Sequence, residues 1–140
     1  MTAMLEHTNY TVTDPDATAR WMCDLFGWNI RWTGSSREVG YSVHVGTDKH
    51  YLALYVPKSG ELAAHKDNYT TTGGLNHIAV VVDDIDRMRD SVAAIGFIPG
   101  EHHDYEPGQW FIFMTPTASN TKWCNTTDAC GLTVQSGPAQ

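Results

Sequence analysis

The segment LEHTNYTVTDPDATARWMCDLFGW near the start of the chain has a counterpart, LNHIAVVVDDIDRMRDSVAAIGF, in its second half. Leu5 aligns with Leu75, His7 with His77, Val12 with Val82, Asp14 with Asp84 and Asp16 with Asp86, each pair 70 residues apart. Phe26-Gly27-Trp28 answers Ile95-Gly96-Phe97 at an offset of 69, as a one-residue difference in the intervening helix would give. Such a repeat constrains the fold more than any single motif, because both copies must fold in the same way. The chain reads as a duplicated unit, and its 140 residues fit one globular domain with a sizeable core.

Each copy has its own internal order. Residues 5 to 13 and 75 to 83 are β-branched and aromatic with partial alternation, which predicts strands. Asp14 and Asp84 then stand at N-cap positions, Pro15 at the first helical position, and Asp16 and Asp86 in the first turn, where a helix dipole favours acid. The apolar spacing of Trp21, Met22, Leu25 and Phe26, and of Ile85, Met88, Val92 and Ile95, predicts amphipathic helices over 15 to 26 and 85 to 95. Gly27 and Gly96 sit where a helix ends in the left-handed conformation. Strand-like runs follow the first helix near 28 to 33, 39 to 46 and 50 to 56. The predicted order is βαβββ twice, over residues 4 to 57 and 74 to 136, with a polar linker from 58 to 73.

Composition excludes several function classes. A net charge of −7 with nine scattered Lys and Arg residues is unsuited to nucleic acid or to an anionic membrane surface. No run approaches a membrane span, and MTAMLEHTNY lacks the basic start and apolar middle of a signal peptide, so a cytoplasmic location is expected. Cys23, Cys124 and Cys130 form no CxxC pair and read as ordinary thiols. There is no phosphate loop, nucleophile elbow or Cys-His nucleophile signature, and no catalytic residue is assigned.

A paired βαβββ unit with a His in the first strand of each copy, and the phrases DLFGW and GLNHIAVVVDDID, resembles the vicinal oxygen chelate superfamily over residues 4 to about 109. That superfamily includes glyoxalase I, extradiol dioxygenases, fosfomycin-resistance enzymes and bleomycin-binding proteins. The resemblance implies an α+β fold of two βαβββ units whose mostly antiparallel strands form a cup. It implies a divalent metal (Mn, Fe, Zn, Ni or Mg) with His7 and His77 as ligands, one on the first strand and one on the fifth. The ligand position on the fourth strand falls on Ala53, which cannot ligate. The remaining arrangement is two His and one Glu, with the Glu on the eighth strand.

The eighth strand is where the sequence departs from the family. After Trp110-Phe111-Ile112-Phe113 the chain becomes MTPTASNTKWCNTTDACG, whereas members end in a phrase like VYFYDPDGIEYEVVQ. The genetic code offers a reason. Read one nucleotide early from the last base of Gln109, Trp110-Phe111 forces Val, Met114-Thr115 forces Asp and Trp123-Cys124 forces Val. With a TCN codon at Ser119, the other codons permit Val-Val-Tyr-Phe-Tyr-Asp-Pro-Asp-Gly-Ile-Glu-Tyr-Glu-Val-Val-Gln, the family ending. The ligand Glu is then spelled across Thr121 and Lys122, and a TGA stop across Thr127 and Asp128. Residues from about 110 are thus expected to be out of frame relative to an ancestral gene. WFIF is expected to serve as the seventh strand and GLTVQS, residues 131 to 136, as the eighth, with Glu101, Asp104 and Glu106 placed in a loop after the sixth strand.

Other residues have plainer readings. His44, His50 and His65 have no repeat partner, His102-His103 reads as a solvated loop, and Trp21 and Trp28 read as core. Tyr41, Tyr51 and Tyr55 are candidates to line a substrate cup, although strands also use Tyr for packing. Three functions follow: a metal-dependent lyase or dioxygenase, a metal-free small-molecule binder of the bleomycin-resistance type, and an inactive remnant. The expected partners are a small-molecule ligand and a second copy of the chain in a homodimer, since replaced terminal strands leave sheet edges open.

Overall fold

The computed structural model describes residues 2–36, 40–63, 69–105, 108–114 and 131–136. The chain divides into two compact units, residues 1–63 and 64–140.

In the first unit, β1 (His7–Thr11), α1 (Pro15–Phe26), β2 (Asn29–Ser36), β3 (Gly40–Gly46) and β4 (Tyr51–Pro57) follow in the predicted order. The sheet order is β1-β4-β3-β2, with β1 parallel to β4 and the other pairs antiparallel. The Asp14 side chain accepts from the Ala17 N–H at 2.9 Å, and Gly27, at φ 66°, closes the helix by donating to the Cys23 carbonyl. The helix packs on β3 and β4. Ala19, Met22 and Leu25 are buried there with Val43, Val45, Leu52 and Leu54. Trp21 and Trp28, read as core, are only half-buried and pack against Phe26 instead.

The second unit repeats the plan with β5 (His77–Val82), α2 (Ile85–Ala94), β6 (Ile98–Tyr105), β7 (Gly108–Met114) and β8 (Gly131–Ser136), in the sheet order β5-β8-β7-β6. Asp84 caps α2 by accepting from the Arg87 N–H, and Gly96 takes φ 87° just beyond its end. Val80, Ile85, Val92, Phe97, Phe111, Phe113 and Val134 form this core. WFIF does form β7 and GLTVQS does form β8, which pairs parallel to β5 and antiparallel to β7. The alternation of Phe111, Phe113 and Val134 supplies an inward face, so a strand pair survives despite the unfamiliar sequence. Residues 115–130, including Cys124 and Cys130, lie outside the described residues, as do His65 and Glu106.

Glu101, His102, His103 and Asp104 are not in a loop but within β6, paired with β7. The register shifts between Pro99 and His102, and this bulge allows the polar run to continue as an edge strand. Gly100 makes the close approach possible, since a Cβ there would lie 2.6 Å from the Ile112 carbonyl oxygen. Glu101 and Asp104 are exposed on this edge strand rather than carried on a loop that folds over the sheet.

Candidate functional site

Leu52 and Leu54 are buried on the helix side of β4, so the strand's period of two sends Tyr51, Ala53 and Tyr55 to the other face. Val43 and Val45 likewise leave Ser42, His44 and Gly46 on that face, and the register His7↔Tyr51 and Thr11↔Tyr55 adds His7, Asn9 and Thr11. No helix of this unit covers that face.

Aromatic rings line it. His7 stacks on Tyr51 at 4.9 Å, His44 stacks on Tyr51 at 4.8 Å, and Trp32 tilts against His44 at 4.8 Å. Two glycines make room for the larger rings. A Cβ on Gly34 would fall 2.7 Å from Trp32 Cζ2, and one on Gly40 would fall 2.5 Å from Tyr55 Cε2, so both rings lie over bare backbone. Trp32 remains 46% exposed, which is a large apolar area for a ring so well supported.

The charges around these rings are few. Glu6 accepts from His7 Nδ1 at 3.0 Å, and the Arg31 guanidinium lies 4.5 Å from the centre of the Tyr51 ring. His50 Nδ1 donates to the Leu5 carbonyl at 2.6 Å and the Tyr51 N–H to the Glu6 carbonyl at 3.1 Å. These two bonds fix the segment that delivers His7.

Burial holds the His44 imidazole below its ordinary pKa, with the positive charges of His7 and Arg31 adding to the effect and Glu6 opposing it. The unfolded chain therefore takes up this proton first as pH falls. Stability from this group is complete above about pH 7 and declines as pH drops through about 6.5, until folded His44 is itself protonated. His44→Phe should flatten the melting-temperature profile between about pH 7.5 and about pH 5.5. An unchanged slope would exclude His44 as a source of acid sensitivity.

Tyr41 does not join Tyr51 and Tyr55. It lies on the helix face, where its hydroxyl donates to Asp16 Oδ1 at 2.9 Å. Burial and then this carboxylate raise its pKa, so the phenol stays protonated and ties β3 to the start of α1. Cys23 is also held above its usual pKa by burial and by Asp24, consistent with an ordinary thiol.

In the second unit His77 opens β5 and is exposed. It stands opposite Gly131, and the next rungs on the same face are Ala79↔Thr133 and Val81↔Gln135. Further across that face His103 stacks on Trp110 at 4.3 Å.

Tyr51, not Ala53, is directly across from His7, and Ala53 is opposite Asn9. Neither supplies a carboxylate, and β8 offers Gly131, Thr133 and Gln135. The imidazoles on these strands are those of His7 on β1 and His77 on β5. Among the described residues no group of three or more His, Cys, Asp or Glu could hold a metal ion. A site with three protein ligands does not fit these residues.

The element order and the two four-stranded sheets agree with comparison to known proteins. The family model of the Glyoxalase/Bleomycin resistance protein/Dioxygenase superfamily matches residues 4–135. The chain belongs to this superfamily. No curated protein matches it. Solved structures of the superfamily fold do. The glyoxalase family protein from Enterococcus faecalis superposes with a TM-score of 0.71 at 15% identity, covering 94% of this chain and 96% of that one. TnmS3, an antibiotic binding protein from Streptomyces sp. CB03234, gives 0.67 at 12% identity, covering 96% of each chain. The fosfomycin resistance protein FosX from Mesorhizobium loti gives 0.65 at 18% identity, covering 98% and 94%. At these identities the likeness establishes the fold, and a small-molecule-binding role is in keeping with the superfamily. No helix among the described residues is long and apolar enough to cross a membrane.

Sequence reasoning did not single out Arg31 or Trp32 on this face, and it gave His44 a plain reading. The signal was present in β3, where Val43 and Val45 set the inward phase and leave His44 on the opposite one. Gly34, inside a strand beside Trp32, was the second clue.

Proposed function

We propose that this superfamily member is a cytoplasmic small-molecule-binding protein that holds a flat, largely apolar ligand by stacking on the open sheet face of its first unit. Trp32 carries this reading: it is a large exposed ring, bedded over Gly34 and braced by His44. A ring already fixed by its surroundings loses little rotamer freedom when a ligand covers it. Tyr55, laid over Gly40, and Tyr51 extend the same surface. Binding of this kind needs no metal. His7 and His77 remain the proposed imidazole pair for a divalent ion, weaker than a site with a carboxylate and better suited to Zn or Ni than to Mg or Mn. The chain is proposed to act as a homodimer, because among the described residues each four-stranded sheet has an edge strand at either end. Sedimentation showing only monomer at tens of micromolar, roughly the range in which a standard interface persists, would contradict that assembly.

The binding surface is tested with a neutral planar probe, 2-naphthamide, followed by calorimetry or ligand-observed NMR. Saturable binding is expected, and Trp32→Ala should weaken it by about tenfold, the value of one well-packed aromatic contact. Equal binding to the variant would remove Trp32 from the site and with it this reading.

A further inference from the structure

The β2–β3 ladder pairs Ile30 with Val45 and Trp32 with His44, and its register shifts between them, so Arg31 is the extra residue of a bulge. A regular strand would alternate Arg31 and Trp32 between opposite faces. The bulge instead brings the Arg31 guanidinium to the Tyr51 ring, 4.5 Å from its centre, on the aromatic face that includes Trp32 and His44. Bulges commonly re-aim a side chain at functional surfaces.

We propose that Arg31 is a specificity-determining residue and that the ligand is a planar aromatic molecule bearing an anionic group, such as a carboxylate. This rests on the open-face reading above and adds the charge of the ligand to it. A guanidinium lying over a ring uses its flat face for that contact and keeps its N–H edges for a coplanar acceptor. The nearby acid, Glu6, is engaged with His7 at 3.0 Å. The chain as a whole carries a net charge of −7, so a cation fixed among stacked rings is a local reversal of the field an anion would otherwise meet. His44, stacked on Tyr51 and against Trp32, adds ring surface to this face. Arg31 is exposed, so its contribution will be modest and sensitive to salt.

The test compares 2-naphthoate with 2-naphthamide, which share ring system and size and differ in charge, on the full chain at about pH 7.5 where the acid is ionised. Naphthoate is expected to bind about five- to tenfold more tightly, the usual gain from a partly exposed charge-assisted hydrogen bond. Arg31→Gln should abolish that preference, bringing the naphthoate-to-naphthamide affinity ratio to about one, and Arg31→Lys should retain part of it. Higher salt should narrow the ratio. If the wild-type protein binds the two probes equally, or if Arg31→Gln keeps the preference, the anionic assignment is overturned and the open-face reading stands. If neither probe binds in a manner that depends on Trp32, both fall together.

Discussion

Replacing residues 111–125 with VYFYDPDGIEYEVVQ, and ending the chain there, is expected to raise affinity for Mn(II) by more than about tenfold. In the present chain β8 offers Gly131, Thr133 and Gln135 on the face of His77, and none is a carboxylate. The replacement restores the family Glu by Lys122→Glu and gives the proposed pair, His7 and His77, a third and anionic partner. Losing an outer-shell partner alone typically costs about 10- to 100-fold in metal affinity, so gaining an inner ligand should exceed the lower figure. The gain should be largest for Mn(II), Fe(II) and Mg(II), which favour oxygen, and smallest for Zn(II), which accepts imidazole well. Stability should change less. The connection between β7 and β8 shortens from sixteen residues to about four, lowering closure cost by about 1.2 kcal/mol. Phe111→Val, which the replacement also makes at a fully buried position, costs about as much or more. Phe113 is the same residue in both readings. A titration in which repaired and present chains bind Mn(II) equally, or not at all, would show that His7 and His77 are not a metal pair and leave metal-free binding as the function. The coding nucleotide sequence would test the frame itself.

Phe113→Ala should cost about 3–5 kcal/mol of stability. Phe113 is fully buried, stacks with Phe97 at 5.9 Å and neighbours Phe111 at 6.4 Å. It is thus the middle ring of three in the second core, and truncation leaves a cavity with rigid walls. Against a typical total of about 5–15 kcal/mol, that loss leaves a small margin. With a urea dependence of about 1–3 kcal/mol per molar, the unfolding midpoint should fall by about 2 M. Phe113→Leu, which keeps most of the volume, should lose less than half as much. A midpoint shift below about half a molar for the Ala variant would mean that β7 does not seat Phe113 in the core, and that the strand pair formed with GLTVQS is not a stable part of the fold.

The sequence by itself determined the plan of each unit. The 70-residue repeat, the Asp caps with their glycine stops and the apolar spacing of two helices are local signals, readable because a helix or strand states its period over a few residues. They yielded βαβββ twice and a family that the comparison with known proteins bears out. Local composition misled at β6, where GEHHDY looks like a loop and is an edge strand, because a strand at an edge needs no apolar face when one side meets water. Ladder register decided what no single segment could. It set Tyr51 rather than Ala53 across from His7, turned Tyr41 toward α1, and through one bulged residue carried Arg31 onto the face of Trp32 and His44. Side-chain facing changes with every one-residue shift between strands, and the partners that fix that shift lie on different segments of the chain.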